Sequence, residues 1–212
     1  MNKQETIAFI EKHRAVAVLR ISDPDLFQPL SAATYEGGIK IIEITMTTPN
    51  ALSLIQKARS ESEGKYLIGV GSVLNAETTR LAIDAGAQFV VSPVLKKEII
   101  DEALSLDTPV MSGAFTPTEA QMAWEFGADF IKIFPANILG MEFFKGIKAP
   151  LPHLKLMPTG GVSLSNASDW IKAGASAIGI GSALFNKRAI EKRDFDQITN
   201  NARILVSNLN ES

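Results

Sequence analysis

Four times the chain brings an amphipathic stretch to a halt at a glycine and follows it with an apolar run. The segments are Y-E-G-G-I at 35–39, D-A-G-A-Q at 84–88, E-F-G-A-D at 125–129 and K-A-G-A-S at 172–176. A glycine just past a helix takes up the left-handed conformation that satisfies the last free carbonyls. The pattern therefore predicts helices that end directly ahead of strands. Short apolar runs lie at 16–19, 39–44, 66–70, 89–91, 109–111, 130–134, 154–157 and 177–180. Several are apolar at consecutive positions, as in parallel strands covered on both faces. Eight strands alternating with helices in 212 residues meet the lower size limit of a (β/α)8, or TIM, barrel of the α/β class. An open doubly wound sheet is the rival, but no glycine fingerprint follows the first run. Extra helices are expected over 2–13, ahead of the barrel, and 194–209, closing it. In the second, Phe195, Ile198, Ala202, Leu205 and Leu209 recur at helical spacing. With no linker or low-complexity segment, residues 1–212 read as one barrel domain.

Charge and composition narrow the partners. A formal charge of −2 creates no basic field for nucleic acid, and no polybasic run marks a membrane surface. The absence of cysteine removes disulfides, thiolate nucleophiles and thiolate metal sites. No run approaches the roughly 20 apolar residues of a membrane span. The start M-N-K-Q-E-T-I-A-F-I-E-K-H-R lacks the apolar stretch of a signal peptide, so the expected location is the cytoplasm. His13 and His153 have no ligand-spaced partners and read as surface residues, so neither a metal nor another cofactor is expected.

Two ionisable residues interrupt apolar strands. Lys132 sits in F-I-K-I-F and Glu43 in I-I-E-I-T. Lysine and glutamate are almost never fully buried unless paired. One explanation is a structural ion pair between the second and sixth strands, although such pairs add little net stability. The other is chemistry, since perturbed groups gather at functional sites. A neutral lysine amine attacks a ketone to form an imine, whose protonated nitrogen acts as an electron sink. Burial among isoleucine and phenylalanine favours the neutral amine, whereas a carboxylate in contact would oppose it. Glu43 is therefore expected to act through water rather than to clamp the lysine.

In a barrel of this kind the chemistry lies at the carboxyl ends of the strands. The polar residues there are Arg20, Glu43 with Thr45 and Thr47, Ser72, Ser92, Ser112 with Thr116, Lys132, Thr159 with Gly160 and Gly161, and Ser182. P-T-G-G-V-S-L-S-N at 158–166 and G-I-G-S-A-L-F at 179–185 each run from a strand into glycines and then toward a helix start. Bare glycine backbone and free helix-start amides bind phosphate oxygens, and phosphate-binding barrels use this location after strands seven and eight. Read structurally, Ser165 and Asn166 are helix caps.

These blocks together resemble the 2-keto-3-deoxy-6-phosphogluconate (KDPG) / 4-hydroxy-2-oxoglutarate (KHG) aldolase family across residues 7–186. The matching blocks are A-V-L-R (17–20), G-G-I-K-I-I-E-I-T (37–45), G-V-G-S-V-L-N (69–75), A-G-A-Q-F-V-V-S-P (85–93), I-K-I-F-P-A (131–136) and M-P-T-G-G-V (157–162). The resemblance implies a metal-independent class I aldolase with Lys132 forming the imine and Glu43 shuttling protons through a water. Thr159, Gly160, Gly161 and Ser182 match phosphate-binding positions, and Arg20 the arginine ending the first strand. Thr45, Thr47, Ser72, Pro93, Thr116, Phe134 and Gly181 complete the expected substrate-binding set. The implied partner is a small phosphorylated keto acid, and the implied assembly a homotrimer.

The chain departs from the family at Thr47, where an arginine that holds the pyruvate carboxylate is common. Ser72 replaces a threonine, and Val94 and Ser112 replace glycines. The 6-phosphogalactonate branch also tends to lack that arginine. The expected reaction is cleavage of KDPG to pyruvate and glyceraldehyde 3-phosphate. The alternatives are cleavage of the galactonate epimer or of 4-hydroxy-2-oxoglutarate, another phosphosugar barrel such as an epimerase, or a barrel that only binds phosphosugars. The decarboxylase pattern D-x-K-x-x-D is absent.

Overall fold

The computed structural model describes residues 1–62 and 64–211. Its eight strands are β1 (Ala15–Leu19), β2 (Ile41–Thr45), β3 (Leu67–Gly71), β4 (Val90–Val91), β5 (Val110–Ala114), β6 (Phe130–Ile133), β7 (Leu156–Pro158) and β8 (Ile178–Ile180). All ladders are parallel, in the order β7-β6-β5-β4-β3-β2-β1-β8. Isolated parallel bridges Leu156↔Ala175 and Thr159↔Gly179 join the two ends and complete the barrel. This is the (β/α)8 architecture read from the sequence. The strands begin one or two residues later than most of the apolar runs, because Ile39, Tyr66, Phe89, Pro109, Leu154 and Ala177 belong to the connections leading in.

The helices are α1 (Lys3–His13), α2 (Phe27–Glu36), α3 (Ala51–Glu61), α4 (Ala76–Asp84), α5 (Lys97–Ser105), α6 (Pro117–Glu125), α7 (Ala136–Lys148), α8 (Ala167–Lys172), α9 (Lys187–Glu191) and α10 (Phe195–Asn210). The four glycine signals stand where expected. Gly38, Gly86, Gly127 and Gly174 have φ of +99°, +107°, +99° and +110°, each just past a helix. Both predicted outer helices form, α1 behind an Asn2 capping box and α10 behind an Asp194 cap.

Strand alternation divides the apolar residues into two cores. Ile42, Ile44, Ile68, Val70, Val110, Ile131 and Ile133 face the helices. Val16, Ile41, Leu67, Phe89, Val91, Met111, Phe130, Met157 and Ala177 fill the barrel, and Ile7 and Ile10 of α1 plug its lower end. Burying side chains of this size contributes roughly 1.5–3 kcal/mol each, so the lower barrel is a solid floor. Two residues further along, the inward face changes character. It carries Val18, Glu43, Gly69, Pro93, Gly113, Lys132, Thr159 and Gly179. Apolar bulk gives way to glycines and two charged chains at the level where the site begins.

Candidate active site

Lys132 stands on β6 directly above Phe130, with Ile131 and Ile133 turned outward to the helices. It is 5% exposed, and its Nζ lies 5.3 Å from the centre of the Phe134 ring. Among the described residues, Nζ has neither an ion-pair nor a hydrogen-bond partner. Glu43 on β2 is wholly buried, and both of its carboxyl oxygens lack a hydrogen-bond partner. Burial pushes its pKa up, while the charges of Lys132 and Arg20 pull against that shift. The two residues thus share a field without closing an ion pair, so the structural explanation for their burial fails. A buried polar group without a partner is costly. Here both oxygens of one carboxyl group are held in that state beside an unpaired amine.

Glycine makes the space for this. A Cβ on Gly71 of β3 would lie 2.5 Å from Cδ and 2.7 Å from Cγ of Glu43. A Cβ on Gly113 of β5 would strike the Pro93 carbonyl, and one on Gly179 would stand 2.5 Å from the Thr159 hydroxyl. The carboxyl group, the β4–α5 loop and the β7 end all sit in volume that an alanine would take.

A cavity of about 430 Å³ opens at this end of the barrel, lined by Arg20, Phe134, Thr159, Gly160, Gly161 and Ser182, with Gly181 at its wall. Lys132 and Glu43 do not line it, and Phe134, whose ring lies 5.3 Å from the Lys132 Nζ, stands between the amine and this space. Thr159 is 9% exposed, and its hydroxyl has no partner. Gly160 and Gly161 have φ of +91° and +76°, a left-handed pair that only glycine adopts without strain. Asn166 occupies the N-cap position of α8, as the structural reading of the sequence has it. Its side chain, however, makes no capping bond to that helix. Its Nδ2 donates to the Gly161 carbonyl at 3.0 Å, and its Oδ1 accepts from the Ser163 amide at 2.8 Å. Asn166 therefore braces the glycine turn. Asn137, at the start of α7, packs against the same turn from the other side. The signal for Asn166 was present in the sequence as a polar residue close to the glycines, whereas Asn137 lies back on α7 and is brought to the turn only by the fold.

At the end of β2 the hydroxyls of Thr45 and Thr47 share a hydrogen bond of 2.9 Å, and Thr48 stands 3.4 Å from Thr45. Ser72 follows β3 with a φ of +59°. Pro93 and Phe134 also line a second hollow of about 640 Å³ with Val94, Phe115 and Met122. Phe134 therefore forms the wall between the two spaces.

Not every expected residue joins this ring. The Thr116 hydroxyl accepts from the Glu119 amide at the start of α6, and Glu119 accepts from the amides of Phe115 and Thr116. Thr116 is thus a helix cap and lines neither space. Ser92 and Ser112 share the outward parity of Val90 and Val110 rather than the inward parity of Val91 and Met111. The Ser92 hydroxyl is taken up by Val94, at 2.8 Å to its carbonyl. His13 stacks on Phe9 and His153 on Trp124, both away from the mouth. Among the described residues, no cluster of three or more His, Asp or Glu side chains is arranged to hold a metal ion.

The family profile described as "Aldolase: KDPG and KHG aldolase" matches residues 6–201. A 2-dehydro-3-deoxy-phosphogluconate aldolase of Treponema pallidum is 32% identical over 191 residues, covering 90% of each chain. A probable 2-dehydro-3-deoxy-6-phosphogalactonate aldolase of Rhizobium meliloti is 37% identical over 172 residues, covering 80% of this chain and 81% of that one. Among solved structures, a KDPG aldolase from Legionella pneumophila, with pyruvate captured as a covalent carbinolamine intermediate, superposes with a TM-score of 0.87. It is 25% identical, over 94% of this chain and 97% of that one.

Proposed function

The chain belongs to the KDPG and KHG aldolase family, and from that premise we propose that it is a class I aldolase cleaving KDPG to pyruvate and glyceraldehyde 3-phosphate. The observation that carries this reading is the buried, unpaired amine of Lys132 beside the unpartnered carboxyl group of Glu43. It is supported by the carbinolamine held in the Legionella relative.

The neutral Lys132 amine attacks C2 of the keto acid, and the carbonyl oxygen takes a proton supplied by Glu43 through water. Loss of water from the carbinolamine gives a protonated imine. Glu43, now a carboxylate, accepts the proton of the C4 hydroxyl. The C3–C4 bond breaks, its electron pair flows toward the imine nitrogen, and the aldehyde departs. The enamine takes a proton at C3 from Glu43, and hydrolysis of the resulting imine releases pyruvate, restores the amine and returns a proton to Glu43 through water. Proton transfer by a placed side chain contributes typically 10²–10⁴-fold, so Glu43→Gln should lower kcat by about that factor.

The substrate carries two anions. The left-handed turn at Gly160 and Gly161, with Ser182 and the free Thr159 hydroxyl, offers neutral donors suited to the phosphate. Arg20 is the cation on the cavity wall and serves the carboxylate, the role left open by Thr47. The homotrimer and the cytoplasmic location belong to the same reading, the former supported by exposed Met122 and Trp124 on α6.

Incubation with pyruvate and borohydride, followed by peptide mass spectrometry, should place a reduced adduct on Lys132 that Lys132→Met abolishes; no adduct sinks the imine. A lactate dehydrogenase-coupled assay then ranks KDPG, its galactonate epimer and 4-hydroxy-2-oxoglutarate. The epimer is the second reading, favoured by the 37% identity to the Rhizobium relative and by Thr47. A chain that binds phosphosugars but releases no pyruvate would be a binding barrel.

A further inference from the structure

Glu43 has no exposed surface, yet in the reading above it gains and loses protons in each cycle. A route to solvent is built into the end of its own strand. Thr45 follows Glu43 by two residues on β2, so the two face the same way into the barrel. Thr45 is 1% exposed, while Thr47 reaches the surface. Their hydroxyls are 2.9 Å apart. Thr48 Oγ1, 3.4 Å from Thr45, accepts the Ile21 amide at 3.4 Å. A hydroxyl has one proton and two lone pairs. Thr48, its oxygen engaged by Ile21, is free to turn its proton to Thr45, and Thr47 can do the same. Thr45 then accepts twice, and its own proton is left to point down the barrel toward the partnerless Glu43 oxygens.

We propose that Thr45 and Thr47 form a proton relay between the buried carboxyl group of Glu43 and bulk water. The proposal rests on the imine reading of the site. Residues two apart on a strand are about 7 Å from each other, a span covered by the glutamate side chain and one bridging water. Inward, Thr45 gives its proton to that water, which protonates the Glu43 carboxylate. Thr45 takes a proton from Thr47, and Thr47 takes one from solvent. Rotation of both O–H bonds resets the pair, and the reverse sequence carries away a proton that Glu43 has removed from C3 of a pyruvate imine. Every hydroxyl ends neutral, and no oxidant or reductant is involved. The rival role is purely structural, fixing the turn in which the Thr48 amide donates to the Thr45 carbonyl at 2.9 Å.

The test is exchange of the pyruvate methyl hydrogens in D2O, followed by proton NMR and divided by the fraction of Lys132 trapped with borohydride. Thr45→Val keeps the shape and removes the hydroxyl, so exchange per trapped imine should fall tenfold or more. Thr45→Ser should restore it. Thr47→Val, at an exposed site that tolerates change, should lower it severalfold. Parent-like exchange per trapped imine in Thr45→Val would overturn the relay, as would a serine variant no better than the valine one. A parent protein that traps no pyruvate would overturn the functional reading itself; a parent that traps and exchanges, with valine variants that do the same, would overturn the relay alone.

Discussion

Replacing Gly71 by alanine should disable the site without touching an ionisable group. The new Cβ would lie 2.5 Å from Cδ and 2.7 Å from Cγ of Glu43. Carbon atoms settle at about 3.5–4.0 Å, so the carboxyl group must retreat by about 1 Å or leave its rotamer. Inserting a methyl group into a packed core costs about 1–3 kcal/mol, and a 1 Å misplacement of a reacting group can cost about 10²-fold in rate. Gly71→Ala should therefore lower kcat for pyruvate release about 100-fold, read by the lactate dehydrogenase-coupled assay. Stability should drop by about 1–3 kcal/mol in a urea titration. The decisive control is the background Glu43→Ala, which empties the contested volume. There the alanine at 71 should cost far less, giving a coupling energy of about 1 kcal/mol or more in a double-mutant cycle. Costs that add to within about 0.5 kcal/mol, or a Gly71→Ala enzyme of near-parent kcat, would refute the idea that this glycine exists to seat the carboxyl group.

Three further outcomes follow from the same geometry. Burial raises the Glu43 pKa above its ordinary 4.5, so the folded chain retains this proton where the unfolded chain has lost it. The group's contribution is complete below the unfolded value and is lost as pH climbs through the folded value. The stability of Glu43→Gln relative to the parent should therefore grow as pH rises above the ordinary carboxyl value of 4.5, and a difference in chemical denaturation that stays constant as pH is raised from there would contradict it. Gly161→Ala forces a non-glycine residue to a φ of +76° and brings its Cβ to 2.5 Å from the Asn137 Cβ. The KM for KDPG should rise about tenfold, at roughly 1.4 kcal/mol per decade, while the KM for unphosphorylated 4-hydroxy-2-oxoglutarate stays within about twofold. Arg20→Ala should weaken pyruvate binding, measured by the concentration dependence of borohydride trapping, by about 10–100-fold. A charge-assisted hydrogen bond is worth about 1.5–3 kcal/mol; unchanged affinity would assign the arginine elsewhere.

The parts of the fold legible in the sequence were those set by local physics. Gly38, Gly86, Gly127 and Gly174 close their helices in the left-handed conformation, a demand that any chain can meet only with a residue of this kind. Lys132 and Glu43 stood out because charge inside an apolar strand has few structural excuses. Thr116, Ser92 and Ser112 were misplaced for a different reason. Being near a strand end does not say which way a side chain points. Direction is fixed by parity along each strand, and parity by where pairing begins. Met111↔Phe130 and Gly113↔Lys132 pair across β5 and β6, which turns Ser112 outward. Thr116 reads equally as a mouth residue or as the first half of a capping box with Glu119, and only the path of the chain chooses between them.

The least legible feature is the one on which the site depends. Glycine within a strand ordinarily reads as weakness, a residue with nothing to pack. Here Gly69, Gly71, Gly113 and Gly179 occupy inward positions at and just above the level of Lys132 and Glu43, where a Cβ would collide with the Phe89 ring, Glu43, Pro93 and Thr159 respectively. Three strands, β3, β5 and β8, give up side chains so that two others can place an amine and a carboxyl group within one another's field. Each glycine alone looks like a poor strand residue, and its purpose emerges only when parallel strands bring it opposite the group it accommodates. That is a property of the register between strands, which no single stretch of sequence contains. It also explains why a lysine and a glutamate can be buried here without meeting. The volume ceded by glycine lets Glu43 lean toward β3, so the carboxyl group and the Lys132 amine form no ion pair across the barrel.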